Sequence, residues 1–324
     1  MTKVTIVVPM YNEEEMFPLY IKKASELFKD NDKYHFDYLF VNDGSKDKTL
    51  DLIKAEAAKR DDISYISFSR NFGQDPALAA GLAEAKGDVV ITMDCDFQDP
   101  PELVFEMLKK YEKGYDIVHP QRSSRQGDSW MKKHTSGAFY KFINKISGRE
   151  VLPPNTSQFK LMDRKVLDVL NAMPEKLKLM RSEVPFVGFK TAFIPFERKA
   201  RAAGKTKYNY KKMFNLAFHT ITASTLNPLD WPLKFGIGFG AFSFVGFVTF
   251  LVLFVLADVT TLPLGSYGLI FMAMFIVFAL FLCLAVISCI IAVPCLYLKD
   301  VYLNTQARPS YIIGEKYVSK NSSK

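Results

Sequence analysis

The spacing of apolar residues divides the chain into two unlike parts. From residue 4 to residue 119, short apolar runs alternate with stretches in which apolar residues recur every three or four positions. The runs at 4–9, 38–42, 63–68, 89–93 and 116–119 are too short for helices and nearly unbroken, as in strands buried on both faces. Between them, 13–29, 46–60, 76–85 and 101–113 carry helical periodicity. This alternation predicts an α/β domain with a mostly parallel sheet covered by helices on both faces. Such sheets bind ligands beyond the carboxyl ends of their strands, which is where chemistry should be sought.

The pattern then changes. A less regular region has helical spacing at 131–146, a break at Pro153-Pro154 and a further helix at 164–173. Over 208–226, Tyr210, Met213, Phe214, Ala217 and Ile221 share one helical face, with Lys211, Lys212, Asn215 and His219 opposite. Residues 235–257 contain no charge, and after Asp258 neither do 259–298. One membrane crossing takes ~20 apolar residues, so this stretch predicts two, at 234–257 and 267–298. The turn between them runs from Thr260 through Pro263 and Gly265 to Ser266. Beside such crossings, the 208–226 helix suits the membrane interface, with Trp231 as a boundary aromatic. The expected organisation is a domain at 1–207, an interfacial helix and linker at 208–233, a two-crossing membrane domain at 234–298 and a basic tail at 299–324.

Charge orients this arrangement. Lys205, Lys207, Lys211, Lys212 and Lys234 precede the first crossing; Lys299, Arg308, Lys316, Lys320 and Lys324 follow the second. The connecting loop has neither Lys nor Arg, so both termini and the α/β domain are expected in the cytoplasm of a multi-pass membrane protein. Met1-Thr2-Lys3-Val4 enters an apolar strand directly, without a leader-like run. The net charge of +8 suits an anionic membrane surface and phosphate-bearing ligands. Nucleic acid is not expected, because the basic residues are dispersed and no nucleic-acid motif is present. Cys95, Cys283, Cys289 and Cys295 show neither zinc spacing nor a disulfide framework. Charge-free, phenylalanine-rich crossings suit self-association into a homo-oligomer.

The strand ends carry the candidate chemistry. The first ends in Pro9-Met10-Tyr11-Asn12-Glu13-Glu14-Glu15, with no glycine-rich dinucleotide turn. The second ends in Asn42-Asp43-Gly44-Ser45, and the fourth in Asp94-Cys95-Asp96-Phe97-Gln98-Asp99-Pro100-Pro101. If the last segment is extended, Asp94, Asp96 and Gln98 share a side and offer hard oxygens to Mg²⁺ or Mn²⁺. Such an ion would bridge carboxylates and a substrate diphosphate. Asp99, before two prolines and Glu102, reads as a helix N-cap. His35, His119, His134 and His219 lack ligand spacing and read as structural.

Together with Ser69-Arg70-Asn71-Phe72-Gly73, these motifs resemble glycosyltransferase family two, within it the branch acting on polyprenyl phosphates. The resemblance runs from Val4 through the second hydrophobic segment. It implies a GT-A type nucleotide-diphospho-sugar transferase domain. It also implies transfer of a sugar from a nucleotide diphosphate to polyprenyl (undecaprenyl) phosphate at the cytoplasmic membrane face, giving a lipid-linked donor for cell-envelope glycosylation. Carried over by position, Pro9, Tyr11, Glu13 and Asp43 would hold base and ribose, and Asp94, Asp96 and Gln98 the metal and diphosphate. Arg122 lies in the segment after the fifth strand that would reach the lipid phosphate, with Arg125 and Lys133 as further cations. Arg201-Ala202-Ala203-Gly204-Lys205-Thr206-Lys207 resembles a basic phosphate-holding loop, which puts Arg201 and Lys207 among the site residues. UDP-glucose is the favoured donor; UDP-N-acetylglucosamine, UDP-galactose and GDP-mannose stay open.

Two positions depart from the family pattern. Asn42 stands where Asp is frequent, so nucleotide contact falls to Asp43. Gln158 also stands where Asp is frequent and cannot act as a base. None is required, because a phosphate monoester with a second pKa of ~6 is mostly a dianion at neutral pH. Two other readings make their own demands. A processive polysaccharide synthase would carry a Gln-x-x-Arg-Trp motif, absent here, and a non-enzymatic membrane adaptor would have no use for Asp94, Asp96 and Gln98 together. A chain cut before residue 234 is expected to keep nucleotide binding.

Overall fold

The computed structural model describes residues 1–29, 31–124, 156–174, 180–197 and 308–319, with single helical residues at 238 and between 276 and 305. Among the described residues, eight strands form one sheet: β1 (Thr2–Met10), β2 (Tyr34–Asn42), β3 (Ile63–Phe68), β4 (Val89–Thr92), β5 (Ile117–Ser124), β6 (Lys160–Asp163), β7 (Thr191–Glu197) and β8 (Ile313–Tyr317). Their order is β7-β5-β6-β4-β1-β2-β3-β8. β1, β2, β3 and β4 run parallel, as do β5 and β7, whereas β6 and β8 run antiparallel to their neighbours. The predicted α/β architecture with a mostly parallel sheet is what the chain adopts.

Among the described residues up to 197, the helices are α1 (Met16–Phe28), α2 (Thr49–Ala57), α3 (Gln74–Glu84), α4 (Leu103–Glu112), α5 (Arg164–Ala172) and α6 (Met180–Phe186). Successive β1 side chains point to opposite faces, so Val4, Ile6, Val8 and Met10 join one core and Val7 the other. The first core takes Phe17, Tyr20, Ile21 and Phe28 from α1 and Val104, Met107 and Leu108 from α4. Phe17 and Phe40 meet edge-on at 5.2 Å, and Phe28 stacks on Phe36 at 4.6 Å. The second core takes Ala77, Leu78 and Leu82 from α3 and Val166, Leu167 and Leu170 from α5. Gly81 lets α3 lie close on the sheet: a Cβ there would overlap Val7 and come within 3.1 Å of Val41 Cγ2.

β6, β7, β8 and α6 are additions to the sequence reading. The largest difference is β8, because residues 299–324 were expected to form only a basic tail. Residues 1–220 and 307–324 form one compact unit, and 221–306 a second. Within the first unit, β8 pairs with β3 through Tyr65↔Tyr317, Ile66↔Lys316, Ser67↔Glu315 and Phe68↔Ile313, with a bulge after Ser67. Lys54 meets Glu315 at 2.6 Å and Lys316 meets Glu84 at 2.5 Å. Tyr65 also donates its hydroxyl to Glu315 at 2.7 Å, and the Ser319 N–H donates to Ser64 Oγ at 3.0 Å.

In the second unit the described residues between 276 and 305 are helical, with Ile276, Leu280, Ile287, Ile291 and Leu298 exposed. No helix among the described residues is long and apolar enough to cross a membrane. The interfacial helix at 208–226 and nearly all of both predicted crossings lie outside the described residues.

Candidate functional site

Three strand ends converge at the carboxyl edge of the sheet. Met10 is opposite Asn42, and Asn42 is opposite Ser67, so β1, β2 and β3 finish level. Pro9 shapes this edge. The Met93 N–H donates to Val7 O at 3.0 Å, and the next bond toward β4 would need an N–H at Pro9. Proline has none, so the β4 chain leaves the sheet there.

The segment that follows is a turn rather than the extended run assumed from its alternation. Phe97 has φ 52°, in the left-handed region, and the Gln98 N–H donates to Asp96 Oδ1 at 3.1 Å. A non-glycine residue in that region costs ~1–2 kcal/mol. The Phe97 ring is fixed by stacking on Tyr20 at 5.8 Å, with Lys23 Nζ 5.0 Å from its centre. Asp94, Asp96 and Gln98 therefore lie along a strained turn rather than on one side of an extended run.

Asp94 and Asp96 are half-buried and Gln98 is buried. Asp94 Oδ1 accepts from Gln74 Nε2 at 3.0 Å, at the start of α3. Burial pushes the Cys95 thiol well above its ordinary pKa, and the charges of Glu13, Asp94 and Asp96 push the same way. Negative charge from both the first and the fourth strand ends thus acts on Cys95. Among the described residues, no group of three or more His, Cys, Asp or Glu side chains gathers to hold a metal. The donor set present is two carboxylates and an amide. It fits a magnesium-type ion that takes one or two protein carboxylates and completes its shell with substrate phosphates and water. The Gln98 Nε2 is buried with no hydrogen-bond partner, an orphan that a bound ligand would relieve.

Asp99 does not cap α4. The helix begins at Leu103 after Glu102, which makes no side-chain cap bond, and the first helical amides of the turn bond to Pro100 O and Pro101 O. Asp99 is buried instead, 3.5 Å from Arg122 Nη2. Arg122 is itself within β5, because that strand runs on to Ser124. A cation thus stands next to the acidic turn, mostly withdrawn from solvent.

Asp43 is 3% exposed and organises a second loop. Its carboxylate accepts from Phe72 N at 2.6 Å, Gly73 N at 2.9 Å and Asn71 Nδ2 at 2.8 Å. Burial raises its pKa and the Phe72 and Gly73 amides oppose that rise. Gly44, at φ 64°, lets the loop pack tightly, since a Cβ would lie 2.7 Å from Arg70 Cα and O. Asn71, Phe72, Gly73 and Gln74 belong to the site's scaffold but carried no role in the sequence reading. Their signal was the Ser69–Gly73 motif, together with a glycine that here takes φ 107°.

Tyr11 is 40% exposed at the rim and Glu13 is half-buried. The Asn12 N–H donates to Ser45 Oγ at 3.0 Å and the Glu13 N–H to Thr49 Oγ1 at 2.9 Å, tying the first strand end to the second. Asp47 accepts from Thr49 Oγ1 at 2.6 Å. Burial would raise the Asp47 pKa, but hydrogen bonds from Thr49 and Glu14 outweigh it and hold the group low. A cleft of about 410 Å³ opens here, lined by Asn12, Glu13, Glu14, Glu15, Met16, Lys46 and Asp47.

Gln158 Nε2 donates to Asp75 Oδ1 at 3.1 Å, and the Gln158 backbone carbonyl accepts from the Thr92 hydroxyl. His119 is buried against Phe193, and burial, followed by the charge of Lys160, holds its pKa down to about 3. It stays neutral and serves no acid–base role near pH 7. Arg125, Lys133, Arg201 and Lys207 lie outside the described residues.

The chain matches glycosyl transferase family 2 over residues 5–170. It is 37% identical to the uncharacterized glycosyltransferase sll0501 of Synechocystis sp. over 97% of this chain and 95% of that protein. It is 36% identical to the bactoprenol glucosyl transferase of Shigella phage SfX, over 96% of this chain and 98% of that protein. A prophage bactoprenol glucosyl transferase homolog of Escherichia coli K12 is 40% identical over 70% of this chain and 74% of that protein.

Proposed function

The chain belongs to glycosyl transferase family 2 and is a glycosyltransferase, and from that premise we propose that it transfers glucose from UDP-glucose to a polyprenyl phosphate. The observation that carries this reading is the convergence of Glu13, Asp43, Asp94, Asp96 and Gln98 at one sheet edge, with Arg122 beside the acidic turn. The bactoprenol glucosyl transferases among its relatives support the choice of sugar and lipid acceptor.

In this reading Tyr11, Glu13 and Asp43 border the nucleoside, with the loop at 71–73 fixing Asp43. Asp94, Asp96 and Gln98 would hold Mg²⁺ or Mn²⁺ against the diphosphate. When bound, the ion supplies charge neutralisation for a diphosphate leaving group. An acceptor phosphate oxygen attacks the anomeric carbon as its bond to the diphosphate breaks. Nucleoside diphosphate leaves, and the single displacement inverts the centre. The phosphate monoester arrives as a dianion, so Gln158 in place of a carboxylate removes nothing the step requires. Arg122 supplies positive charge near the reacting phosphates, and Arg201 and Lys207 would add to it. The protein's contribution is alignment and electrostatic preorganisation.

The acceptor's hydrocarbon chain cannot leave a bilayer, so the reading includes the two crossings and a cytoplasmic catalytic unit. The return of residues 313–317 to the sheet built by residues 1–197 supports an even number of crossings between them. The test is to incubate full-length protein with undecaprenyl phosphate, Mn²⁺ and each of four radiolabelled nucleotide sugars, then extract the lipid. UDP-glucose should label the lipid fraction most strongly. No lipid label from any of the four would overturn the proposal.

A further inference from the structure

The strand β8 reaches the site from behind. Tyr311 stacks on Phe68 with ring centres 5.1 Å apart and 10° between planes. Phe68 meets Phe72 edge-on at 5.7 Å, so one aromatic ring links the tail to the loop that binds Asp43. The backbone makes a second link. The Ser69 N–H donates to Ile312 O at 3.0 Å, and Gly314 lies against Ser69, where a Cβ would be 3.5 Å from Ser69 Cα. Ser69 leads directly into Arg70, whose backbone presses on Gly44, and then to the two amides that hold the Asp43 carboxylate. Both links cross from residues beyond the hydrophobic region to the second strand end.

We propose that the segment 311–319 is a positioning element of the donor site, with Tyr311 its principal positioning residue. It fixes the loop at 69–73, and the loop fixes Asp43. The inference deepens the donor reading above and rests on Asp43 bordering the nucleoside. It also changes the expectation for a shortened chain. Cutting before residue 234 removes β8 and with it one wall of the loop, so nucleotide binding should weaken along with delivery of the lipid.

A geometric consequence separates this role from mere capping of an exposed sheet edge. An edge cap would protect β3 and leave the Phe72 and Gly73 amides alone. A positioning element governs both amides, and through them donor affinity, while the reacting groups at Asp94 and Asp96 are untouched.

The test uses full-length protein in lipid nanodiscs, with Tyr311→Ala, Tyr311→Leu and Tyr311→Phe. Loss of one stacked ring corresponds to an effect of up to about tenfold. Tyr311→Ala should raise the KM for the nucleotide sugar by about that factor and leave kcat within about twofold. Hydrogen exchange of Phe72 and Gly73 in ligand-free protein should quicken to a similar degree. Tyr311→Phe should restore both, because it keeps the ring, whereas Tyr311→Leu should not. Leu also keeps bulk at the position if the Ala variant fails to fold. Wild-type exchange at both amides in Tyr311→Leu would overturn the proposal, as would faster exchange with unchanged KM. The exchange arm needs no substrate, so it decides the tail–loop link even if the wild-type protein transfers none of the tested sugars.

Discussion

At the amino ends of the strands, Asp62 before β3 holds Arg60 Nη2 at 2.6 Å, and Asp116 before β5 holds Lys165 at 2.6 Å. Asp88, before β4, differs in accepting from a neutral donor, the Lys3 backbone N–H, at 2.8 Å. At the carboxyl ends, Asp99 also has a cation, Arg122, at 3.5 Å, but neutral donors reach other carboxylates. Asp43 is held by two backbone amides and the Asn71 side chain, Asp94 by the Gln74 amide, and Asp47 by Thr49 and the Glu14 N–H. The same residue type thus serves two ends. Pairing with a cation secures the fold and uses up the charge. Fixing a carboxylate such as Asp43 with neutral groups preserves its negative field for a ligand, and the charges of Glu13, Asp94 and Asp96 all act on Cys95.

The comparison breaks most readily at the acidic turn. Asp94→Asn and Asp96→Asn should each reduce lipid glycosylation by at least ~100-fold, the order expected for loss of a preorganised electrostatic group. Thermal melting should stay near wild type. A melting point that falls in step with activity would move these residues into the class seen at the amino ends.

Gly44→Ala should come next. It forces a side chain into the left-handed region and onto the Arg70 backbone, so a destabilisation of ~2 kcal/mol or more is expected. Donor KM should rise as well, because the displaced loop carries the Phe72 and Gly73 amides. Melting curves and initial rates over a donor series check both.

The amino end supplies the opposite case. Arg60→Met breaks the Asp62 pair and the hydrogen bond to Ser25, and should cost ~1 kcal/mol in stability. Its kcat and donor KM should match wild type within error. A selective loss of activity would remove the distinction between the two ends.

The last effect concerns acid. An unfolded imidazole titrates near pH ~6.5, whereas folded His119 stays neutral to about pH 3. Between these values the unfolded chain binds a proton that the folded chain does not. Stability contributed above pH ~6.5 is therefore lost as pH falls, at up to ~1.4 kcal/mol per unit. Melting points of the wild type should drop from pH 7 to pH 5, and His119→Gln should flatten that slope.

The contrast between the ends also explains what the sequence could convey. β1 to β5 and the helices between them were legible because continuous apolar runs alternate with amphipathic ones. Strand ends could then be located, and Asp43, Asp94, Asp96 and Gln98 with them. The backbone turn at Phe97 was not legible, since a dipeptide alternation reads alike in a strand and in a turn. Nor was the burial of Asp99, because its proline-rich context is shared with genuine N-caps and its Arg122 partner comes from another strand. β8 was hidden for a different reason. Tyr311–Tyr317 is short, includes Gly314, and has its strand partner some 250 residues earlier, as the Tyr65–Glu315 bond records. Only the folded chain brings these residues together.

The claim that the carboxyl edge is the donor site is tested most directly by titrating UDP into full-length protein in nanodiscs by calorimetry. Mn²⁺ should be required for tight binding, and Asp96→Asn should abolish the metal-dependent part while Arg60→Met leaves it intact. Equal UDP affinity for wild type and Asp96→Asn, or undiminished binding in chelator, would contradict the account.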